Sequence, residues 1–400
     1  MKVIHTSDWH LGRKFYEHDL SGSFVRWGEF LVDLARAEKA DAVLISGDVY
    51  DRGVPPVQMI ELFEEILAQL LEFSQVVITS GNHDSAQRLG FAAQFLREGL
   101  FIQTDSRSSG KPIILRKKDG DPGAIVYALP YLDPDIERAQ LAAENEMLER
   151  SHAAVVARAC ELVRADLMQG KFAKSDLPRI LMAHAFVSGS EKSDSEIDLS
   201  IGGIESVPAN LFRLGARGSG PLDYIALGHL HGPQQIRLSA VPPMRYSGSP
   251  IPFSFSEETQ VKSTVVLDFS GSHRHAPKIE LVPHTFFRKL KTLRGTTHEL
   301  LTSREFDVFT DHYVRIEVTD IERPRDLAAT LRRRFPYLVQ VTQKHTGNLT
   351  QTAHAVSLRN KPLEVIQMFF EEIGGRKLSS AERELVQQIW KETGAEEVAK

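Results

Sequence analysis

The sequence predicts an α/β fold in which a large strand-and-helix domain is followed by a small α+β module and a pair of C-terminal helices. Short apolar runs alternate with amphipathic helical stretches from residue 1 to about residue 100, which is typical of α/β domains. After residue 285 the composition changes, and short strand-like runs surround one helix. We therefore divide the chain into residues 1–285, 286–350 and 355–400.

The first domain begins with three strand–helix pairs. Each strand is a short apolar run that ends at a polar turn, and each helix carries apolar residues at helical spacing. The strands are Lys2–Thr6, Ala42–Ser46 and Gln75–Thr79, and the helices are 23–39, 55–73 and 86–98. We expect a homodimer, and the apolar stripe from Ile60 to Leu71 is either core or in part a dimer face.

Further strands are predicted in the rest of this domain. The turn Asp119-Gly120 between two apolar runs indicates a hairpin. Residues 135–168 read as a long helical stretch with a polar middle, and the aperiodic stretch 188–203 predicts a loop. The predicted strands are 113–116, 124–129, 179–183, 224–227, 244–246 and 264–269.

The C-terminal third has a different character. Residues 286–350 predict strands at 313–318 and 337–342 around a helix at 325–334. Their net charge is +4, against −5 for the whole chain, and a local basic patch matters more to a phosphate backbone than the total charge does. Ordinary surface variation explains a charge of this size equally well. In the last segment, Ser379 and Glu382 have the spacing of a capping box for the second of two helices.

The composition narrows the cellular setting. Cys160 is the single cysteine, and it cannot form an internal disulfide, which fits a reducing cytoplasm. The sequence has no apolar stretch long enough to span a membrane. The first residues lack the pattern of a signal peptide. We therefore expect a cytoplasmic protein with no membrane partner.

Five polar turns, each placed after a short apolar strand, carry side chains that suit metal chemistry. Ser80-Gly81-Asn82-His83-Asp84 organises the set, because it combines a permissive glycine, an amide, an imidazole and a carboxylate. Ligands collect at the carboxyl ends of strands in open α/β sheets, so these turns are expected to meet. The candidate ligands are Asp8, His10, Asp48, Asn82, His184, His229 and His231.

Two divalent ions account for this set better than one. Two carboxylates, one amide and four imidazoles exceed the needs of a structural zinc ion, and no cysteine accompanies them. The mixture suits manganese, iron or zinc, and two such ions stabilise both oxygens of an in-line displacement at phosphorus. We assign Asp8, His10 and His231 to one ion, Asn82, His184 and His229 to the other, and Asp48 to a bridging position.

Two residues of the organising turn are candidates for catalysis rather than metal binding. His83 follows a candidate ligand, and we expect it to stabilise charge on the phosphoryl group or to protonate the leaving oxygen. Asp84 is expected to orient the His83 ring. The alternative is that His83 only hydrogen-bonds the turn.

The order of these motifs resembles that of calcineurin-like metallophosphoesterases. Asp-x-His, Gly-Asp, Gly-Asn-His-Asp, His and Gly-His-x-His follow one another along the chain, and the resemblance covers about residues 1–285. It implies a two-sheet β-sandwich flanked by helices, the metallophosphoesterase fold, with two metal ions at the strand ends.

A closer resemblance is to the SbcD family, the nuclease subunit of the prokaryotic double-strand-break repair complex. His5-Thr6-Ser7-Asp8-Trp9-His10-Leu11-Gly12 looks like the opening of that family. Tyr246-Ser247-Gly248-Ser249-Pro250 and Ser254-Phe255-Ser256-Glu257 resemble a later segment. This resemblance implies a manganese-dependent DNA nuclease, acting as a 3′-to-5′ exonuclease on double strands and as an endonuclease.

The same resemblance implies partners and a use for the later segments. Residues 286–350 would cap the DNA, and Arg332-Arg333-Arg334 is either a phosphate contact or a solvated helix end. Residues 355–400 would dock an SbcC-type ATPase through its coiled coil. The sequence contains no Gly-x-x-x-x-Gly-Lys-Ser/Thr loop, so any ATP dependence has to come from such a partner.

Two other functions remain open. Gly47-Asp48-Val49-Tyr50-Asp51-Arg52-Gly53 also resembles a phosphatase segment, which favours a phosphomonoesterase or protein phosphatase. Those enzymes usually place arginine before Gly-Asn-His and glutamate after it, whereas this chain has Ser80 and Asp84. A scaffold without catalysis is the third possibility, and the complete ligand set argues against it.

Overall fold

The computed structural model shows two large β-sheets, a smaller third sheet and flanking helices. It describes residues 1–96, 99–144, 146–191, 206–214, 222–238, 242–270, 276–320, 326–343, 367 and 377–392. Most of the predicted loop at 188–203, the connection after residue 343 and the first predicted C-terminal helix, apart from Gln367, lie outside these residues.

The first sheet contains six strands, and four adjacent strands run parallel to one another. Its order is β12 (Lys278–Pro283), β11 (Ser263–Asp268), β1 (Lys2–Thr6), β2 (Ala42–Ser46), β3 (Gln75–Thr79) and β4 (Leu100–Gln103). β1 to β4 run parallel, while β11 and β12 are antiparallel to their neighbours. β1, β2 and β3 therefore end at the same edge, as the sequence predicted.

The second sheet also contains six strands. Its order is β5 (Ile113–Arg116), β6 (Pro122–Leu129), β7 (Arg179–His184), β8 (Tyr224–Gly228), β10 (Met244–Tyr246) and β9 (Gln234–Ile236). β5 and β6 form the predicted antiparallel hairpin, and β6, β7, β8 and β10 are parallel. β7 and β8 pair so that His184 lies opposite Gly228.

The two sheets pack face to face, and helices cover their outer faces. Between the sheets, Val3, Leu44 and Val77 meet Val126 and Met182 in one apolar cluster. α1 (Ser21–Ala37) and α2 (Val57–Leu71) cover the first sheet, and α5 (His152–Gln169) covers the second. The expected two-sheet sandwich flanked by helices is confirmed.

Two predicted helices are wrong in extent. The helix predicted over 86–98 ends early: α3 spans Ala86–Leu89, and Gly90 caps it where a Cβ would lie 2.2 Å from Thr104 Oγ1. The stretch 135–168 divides into α4 (Pro134–Leu141) and α5. α4 ends because Ala142 adopts an extended backbone. α5 begins after its N-cap residue Ser151, whose Oγ accepts the Ala154 N–H at 3.2 Å.

Four strands were not predicted, namely β4, β9, β12 and β13 (Leu290–Gly295). β13 belongs to a three-stranded parallel sheet with β14 (Tyr313–Val318) and β15 (Leu338–Gln343). α6 (Thr297–Thr302) and α7 (Leu327–Arg334) pack on it around Leu300, Leu331 and Phe335. Parallel strands joined by helices give residues 290–343 an apolar core of their own.

The last described element is α8 (Ser380–Glu392). Its predicted capping box is confirmed: the backbone N–H of Glu382 donates to Ser379 Oγ, and the Glu382 carboxylate accepts from the Ser379 backbone at 2.9 Å. Within the described part of the chain, no helix is long and apolar enough to cross a lipid bilayer.

Candidate metal centre

The polar turns after five strands meet at one edge of the sandwich. Hydrogen bonds tie the turns together: the Asp8 N–H donates to the Gly47 carbonyl at 3.1 Å, and the His10 N–H donates to the Asp48 carbonyl at 3.0 Å. From the second sheet, the His229 N–H donates to Asp8 Oδ1 at 2.9 Å. Residues far apart in sequence are therefore held within one buried cluster.

The first group of candidate ligands is centred on two facing imidazoles. His10 Nε2 lies 3.0 Å from His231 Nε2, and it lies 3.5 Å from Asp48 Oδ2. One oxygen of Asp8, one nitrogen of His10 and one nitrogen of His231 all lie within 4.8 Å of one another. Carboxylate oxygens and imidazole nitrogens at this separation can share a cation.

The second group surrounds the amide oxygen of Asn82. His184 Nε2 lies 3.0 Å from Asn82 Oδ1, and His229 Nδ1 lies 2.9 Å from the same oxygen. His184 Nε2 is also 3.4 Å from Asp48 Oδ2. The other His184 nitrogen, Nδ1, donates to the Ser46 carbonyl at 2.8 Å, and this hydrogen bond orients the ring so that Nε2 faces the group.

Asp48 Oδ2 is the atom that both groups share, because it faces His10 and His184 at nearly equal distances. The second oxygen, Oδ1, accepts the backbone N–H of His83 at 2.8 Å. One oxygen is thus fixed by the turn while the other points between the two groups. This is the position that the sequence analysis assigned to a bridging carboxylate.

Glycines precede the candidate ligands because the turns leave no room for a side chain. A Cβ on Gly47 would lie 2.2 Å from His184 Nδ1, and one on Gly81 would lie 2.1 Å from Asp48 Oδ1. A Cβ on Gly228 would lie 1.8 Å from the Ser46 carbonyl oxygen. These glycines let the backbones approach closely enough for the candidate ligands to converge.

The backbone is strained at the candidate ligands themselves. Asp8, His10, Asp48 and His229 have φ angles of 54°, 46°, 51° and 105°, a region that residues with a Cβ rarely adopt. Such conformations cost of order 1–3 kcal/mol each and concentrate at functional sites. Four of them in one cluster indicate that the surrounding structure is built to hold these side chains.

Burial sets the charge state of the cluster. It lowers the pKa of His10 and of His231 well below the usual imidazole range, so both rings are neutral at pH 7. Burial also raises the pKa of Asp8 to about 8. For Asp48, the raising effect of burial is outweighed by the neighbouring histidines, chiefly His184, which hold its pKa well below the usual range.

These donors fit two divalent cations. Neutral imidazoles offer lone pairs, and facing nitrogen atoms such as those of His10 and His231 can share one proton at most. The raised pKa of Asp8 means that nearby positive charge does not offset the full cost of burying its carboxylate in the metal-free protein. Two cations would supply that charge, one held by Asp8, His10 and His231, the other by Asn82, His184 and His229, with Asp48 between them.

His83 lies beside the first group, and its orientation differs from the prediction. Its Nδ1 is 2.9 Å from the Asp51 carbonyl, and its ring stands edge-on to His10 with centroids 4.7 Å apart. The expectation that Asp84 orients this ring is wrong. The Asp84 carboxylate accepts the backbone N–H groups of Val49, Tyr50 and Gly81 at 2.9–3.1 Å, so it shapes the turn instead.

Several residues that support the cluster were missed by the sequence analysis. Ser7 donates its hydroxyl proton to Asp8, and Ser247 Oγ lies 2.7 Å from Ser7 Oγ. The guanidinium of Arg13 lies 4.9 Å above the ring of Phe253, which in turn contacts the rings of His10 and His231. Ser7 and Ser247 lie within segments that carried the family resemblance, which was the only available signal.

Comparison with known proteins agrees with this geometry. The family model of the calcineurin-like phosphoesterases matches residues 1–233, which include every candidate ligand. The chain belongs to the calcineurin-like phosphoesterase family. Membership makes this protein a hydrolase of phosphoester bonds, and the candidate dimetal cluster is the site where such chemistry would occur.

Solved structures that are similar to this phosphoesterase include three proteins. TT1561 of Thermus thermophilus is 14% identical, with a TM-score of 0.40, covering 70% of this chain and 98% of its own. A dimetal phosphatase from Danio rerio is 11% identical, with a TM-score of 0.43, covering 71% and 99%. GAP50, the anchor in the inner membrane complex of Plasmodium, is 12% identical, with a TM-score of 0.39, covering 86% and 98%.

Proposed function

We propose that this phosphoesterase is a manganese-dependent DNA nuclease of double-strand-break repair and recombination. It would act as a 3′-to-5′ exonuclease on double-stranded ends and as an endonuclease on single strands and hairpins. The observation that carries the proposal is the position of the third sheet, β13 to β15, beside the loop that follows the candidate ligands Asp8 and His10.

The contacts between this loop and the third sheet are specific. The ring of Phe15 lies 5.1 Å from that of Tyr313, and the Tyr16 hydroxyl lies 3.5 Å from Gln340 Oε1. Arg315 of β14 places its guanidinium 5.0 Å above Phe255. A surface that flanks the centre in this way suits a polymer that extends beyond the scissile bond, whereas a small phosphomonoester would not extend to it.

Positive charge on α7, the helix that packs on the third sheet, supports a nucleic-acid substrate. Arg332 and Arg333 at the end of α7 are exposed, and exposed arginines bind phosphate oxygens. Arg334 has a structural task instead, because it donates to the Leu300 carbonyl at 2.8 Å and to Asp307 at 2.6 Å. Of the arginine triplet, therefore, the first two are the proposed DNA contacts.

The residues of the centre would divide the work. Two divalent ions supply the charge that lowers the pKa of water and stabilises phosphoryl oxygens. His83 donates its Nδ1 proton to the Asp51 carbonyl, so Nε2 is the nitrogen available to the substrate. From there it can donate a proton to a phosphoryl oxygen or to the leaving oxygen.

A phosphomonoesterase, including a protein phosphatase, is the second candidate. A cleft of 440 Å³ opens beside Asn82 and is lined by Ser85, Arg107 and Tyr131 among others. Its size lies within the range of small-ligand sites. The same ligand set could act on a terminal phosphate bound there.

One comparison separates the two candidates. The purified protein is incubated with manganese and either linear duplex DNA, labelled at each end in turn, or a phosphoserine peptide. The nuclease proposal expects release of nucleotides from the 3′ end and no phosphate from the peptide. Phosphate release without DNA cleavage would establish the phosphatase instead. His83→Asn should lower whichever activity is present by about 10²–10⁴-fold, and a wild-type protein with neither activity would be a scaffold.

We also propose an ATPase partner of the SbcC type that binds the C-terminal segment. On α8, Leu385 is 56% exposed, and a leucine so exposed on an amphipathic helix suits a partner helix. Leu385→Asp should abolish co-purification with the ATPase while manganese-dependent cleavage persists. Gln387→Asp, on the same helix, is the matched control, and loss of binding in both variants or in neither would contradict the proposal.

Homodimer formation and a cytoplasmic location complete the proposal. α2 buries Met59, Phe63, Ile66 and Leu70 in the core, so a dimer face would have to use other residues. Phe91 and Phe95 are 82% and 72% exposed, and they are the candidates. Replacing both by serine should shift the mass in solution from dimer to monomer.

The cytoplasm is where a prokaryotic protein would meet its DNA substrate.

A further inference from the structure

Lys262 is buried completely behind the candidate metal centre. Its side chain is 0% exposed, and Nζ lies 2.6 Å from Oε2 of Glu257, whose side chain is also 0% exposed. Three further oxygens lie within hydrogen-bond distance of Nζ, namely the His231 carbonyl at 2.7 Å, Ser249 Oγ at 3.0 Å and Gln260 Oε1 at 3.2 Å, and the three N–H groups of the ammonium are shared among these and the carboxylate. A candidate ligand is therefore one of the groups that this lysine holds.

Stability alone does not account for such a pair. Each buried ion costs several kcal/mol of desolvation, and apolar residues of similar volume are often as stabilising or more so. The pair instead fixes geometry. Glu257 Oε1 accepts the Phe253 N–H at 3.1 Å and lies 4.0 Å from His231 Nδ1. The His231 main chain is thus held directly by Lys262, and the Glu257 carboxylate lies on the Nδ1 side of the ring, opposite the candidate ligand atom Nε2.

The segment that contains Glu257 and Lys262 begins at Ser247, which is hydrogen-bonded towards Asp8. Ser247 Oγ lies 2.7 Å from Ser7 Oγ, and Ser7 has one hydroxyl proton, which it donates to Asp8. The Ser249 N–H donates to the His231 carbonyl at 3.1 Å. We call residues 247–262 the brace. It supports Asp8 and His231, two members of the first ligand group.

The second ligand group is oriented from other elements. His184 at the end of β7 is held by the Ser46 carbonyl of β2, and Asn82 belongs to the turn after β3, where Asp84 binds three backbone N–H groups. Disturbing the brace should therefore affect one group of ligands more than the other.

We propose that the brace positions Asp8 and His231 for one of the two metal ions, so that the Lys262–Glu257 pair and Ser247 set the affinity for that ion and not for the second. This inference rests on the proposed two-metal centre. Lys262, Glu257 and Ser247 are positioning residues, since they act through the ligands. Groups that orient metal ligands typically contribute about 10–100-fold to metal affinity.

The test measures metal binding directly, with manganese as the probe. Metal-free full-length protein is titrated with Mn²⁺ by calorimetry, and the spin coupling between paired ions is followed by electron paramagnetic resonance. In Lys262→Met, we expect affinity at one site to fall about 10–100-fold, so that a signal of isolated Mn²⁺ replaces that of coupled ions. Lys278→Met, which removes a 78% exposed lysine, should bind as the wild type does.

Two further variants keep the test decisive if Lys262→Met fails to fold. Glu257→Gln with Lys262→Met leaves no buried charge unpaired, and Ser247→Ala removes only a hydroxyl. Both should weaken the same single site, and higher manganese concentrations should restore cleavage with the KM for DNA unchanged. Wild-type affinity at both sites, or equal loss at both, would overturn the inference.

Failure of the brace and failure of the nuclease proposal look different. If the wild type binds two coupled ions and does not cleave DNA, the nuclease proposal fails, while selective loss in the variants still supports the brace. If the wild type cleaves DNA and the double variant retains both ions at full affinity, the brace fails alone.

Discussion

The Nδ1 atom of His83 lies 2.9 Å from the carbonyl oxygen of Asp51. Because a carbonyl only accepts, the hydrogen bond requires a proton on Nδ1 and directs Nε2 away from it. The backbone therefore fixes the tautomer of the ring and leaves Nε2 as the nitrogen without this proton, and no carboxylate partner is needed. Asp84, which the sequence analysis expected in that role, is engaged by three backbone N–H groups.

Replacing His83 should impair turnover and spare metal binding. His83→Asn removes the proton donor, and loss of such a group typically lowers kcat by about 10²–10⁴-fold. The centre should still take up two ions per chain, as measured by elemental analysis after gel filtration. His298→Asn, at an exposed histidine of α6, is the control and should leave kcat unchanged. A His83 variant that loses its ions would show a ligand rather than a proton donor.

Gly47→Ala should damage the second ligand group. The new Cβ would lie 2.2 Å from His184 Nδ1, at a φ of +82°, where a residue with a Cβ pays about 1–2 kcal/mol. We expect a loss of unfolding free energy of at least that size in urea denaturation, together with weaker binding of manganese. Gly22→Ala, where a Cβ meets nothing within 4 Å, is the control. Wild-type metal affinity in the Gly47 variant would contradict the described turn.

Metal binding should release protons. Burial alone would lower the pKa of His184, but the Asp48 carboxylate outweighs it and raises that pKa to about 9 in the metal-free protein. At pH 7 an incoming ion must displace this proton, so apparent affinity should rise as pH increases towards about 9. Calorimetry in two buffers of different ionisation enthalpy counts the protons. Identical heats in both buffers would show that none is released.

His284 should make the protein less stable in acid. Its ring is buried against Trp27, Phe30 and Phe286, and burial, with Lys262 nearby, lowers its pKa from 6.5 to about 4. The unfolded chain therefore binds more protons between these values, and this contribution is complete above pH 6.5 and lost as pH falls towards 4. The loss amounts to at most about 3 kcal/mol.

The variant His284→Phe isolates that contribution. It keeps an aromatic ring among Trp27, Phe30 and Phe286 and removes the titrating group. Urea denaturation between pH 4 and pH 6.5 should show a shallower fall in unfolding free energy for the variant than for the wild type. Equal slopes would mean that other groups cause the acid sensitivity.

Local patterns predicted the strands that carry the candidate ligands. Ala42–Ser46 and Gln75–Thr79 are short apolar runs with polar turns behind them, and their bounds are the predicted ones. Strands such as Lys278–Pro283 were missed because they lie at a sheet edge, where half-exposed residues of mixed character pair only through distant neighbours. The prediction of a helix over 86–98 failed because the backbone turns after Gly90, where a Cβ would lie 2.2 Å from Thr104 Oγ1, and because Ala92 has a φ of 60°, which a helix does not contain.

In the candidate site, too, local chemistry was predicted from the sequence, whereas contacts between distant residues were not. Side-chain chemistry and order along the chain selected His10, Asp48 and Asn82, since metal ligands belong to a small set of residue types. Supporting contacts could not be predicted, because the Asp51 carbonyl is a backbone atom and a buried Lys262 has no sequence signature. The orientation of a side chain such as His83 or His231 depends on which groups lie next to it in the folded protein, and the spacing of residues along the chain does not give this information.

Crystals of the protein soaked in manganese and measured at the manganese absorption edge test the central claim most directly. The account predicts two anomalous peaks about 3.5–4 Å apart, on either side of Asp48 Oδ2. One peak should contact Asp8, His10 and His231, and the other Asn82, His184 and His229. A single peak, or peaks away from Asp48, would contradict the two-metal centre.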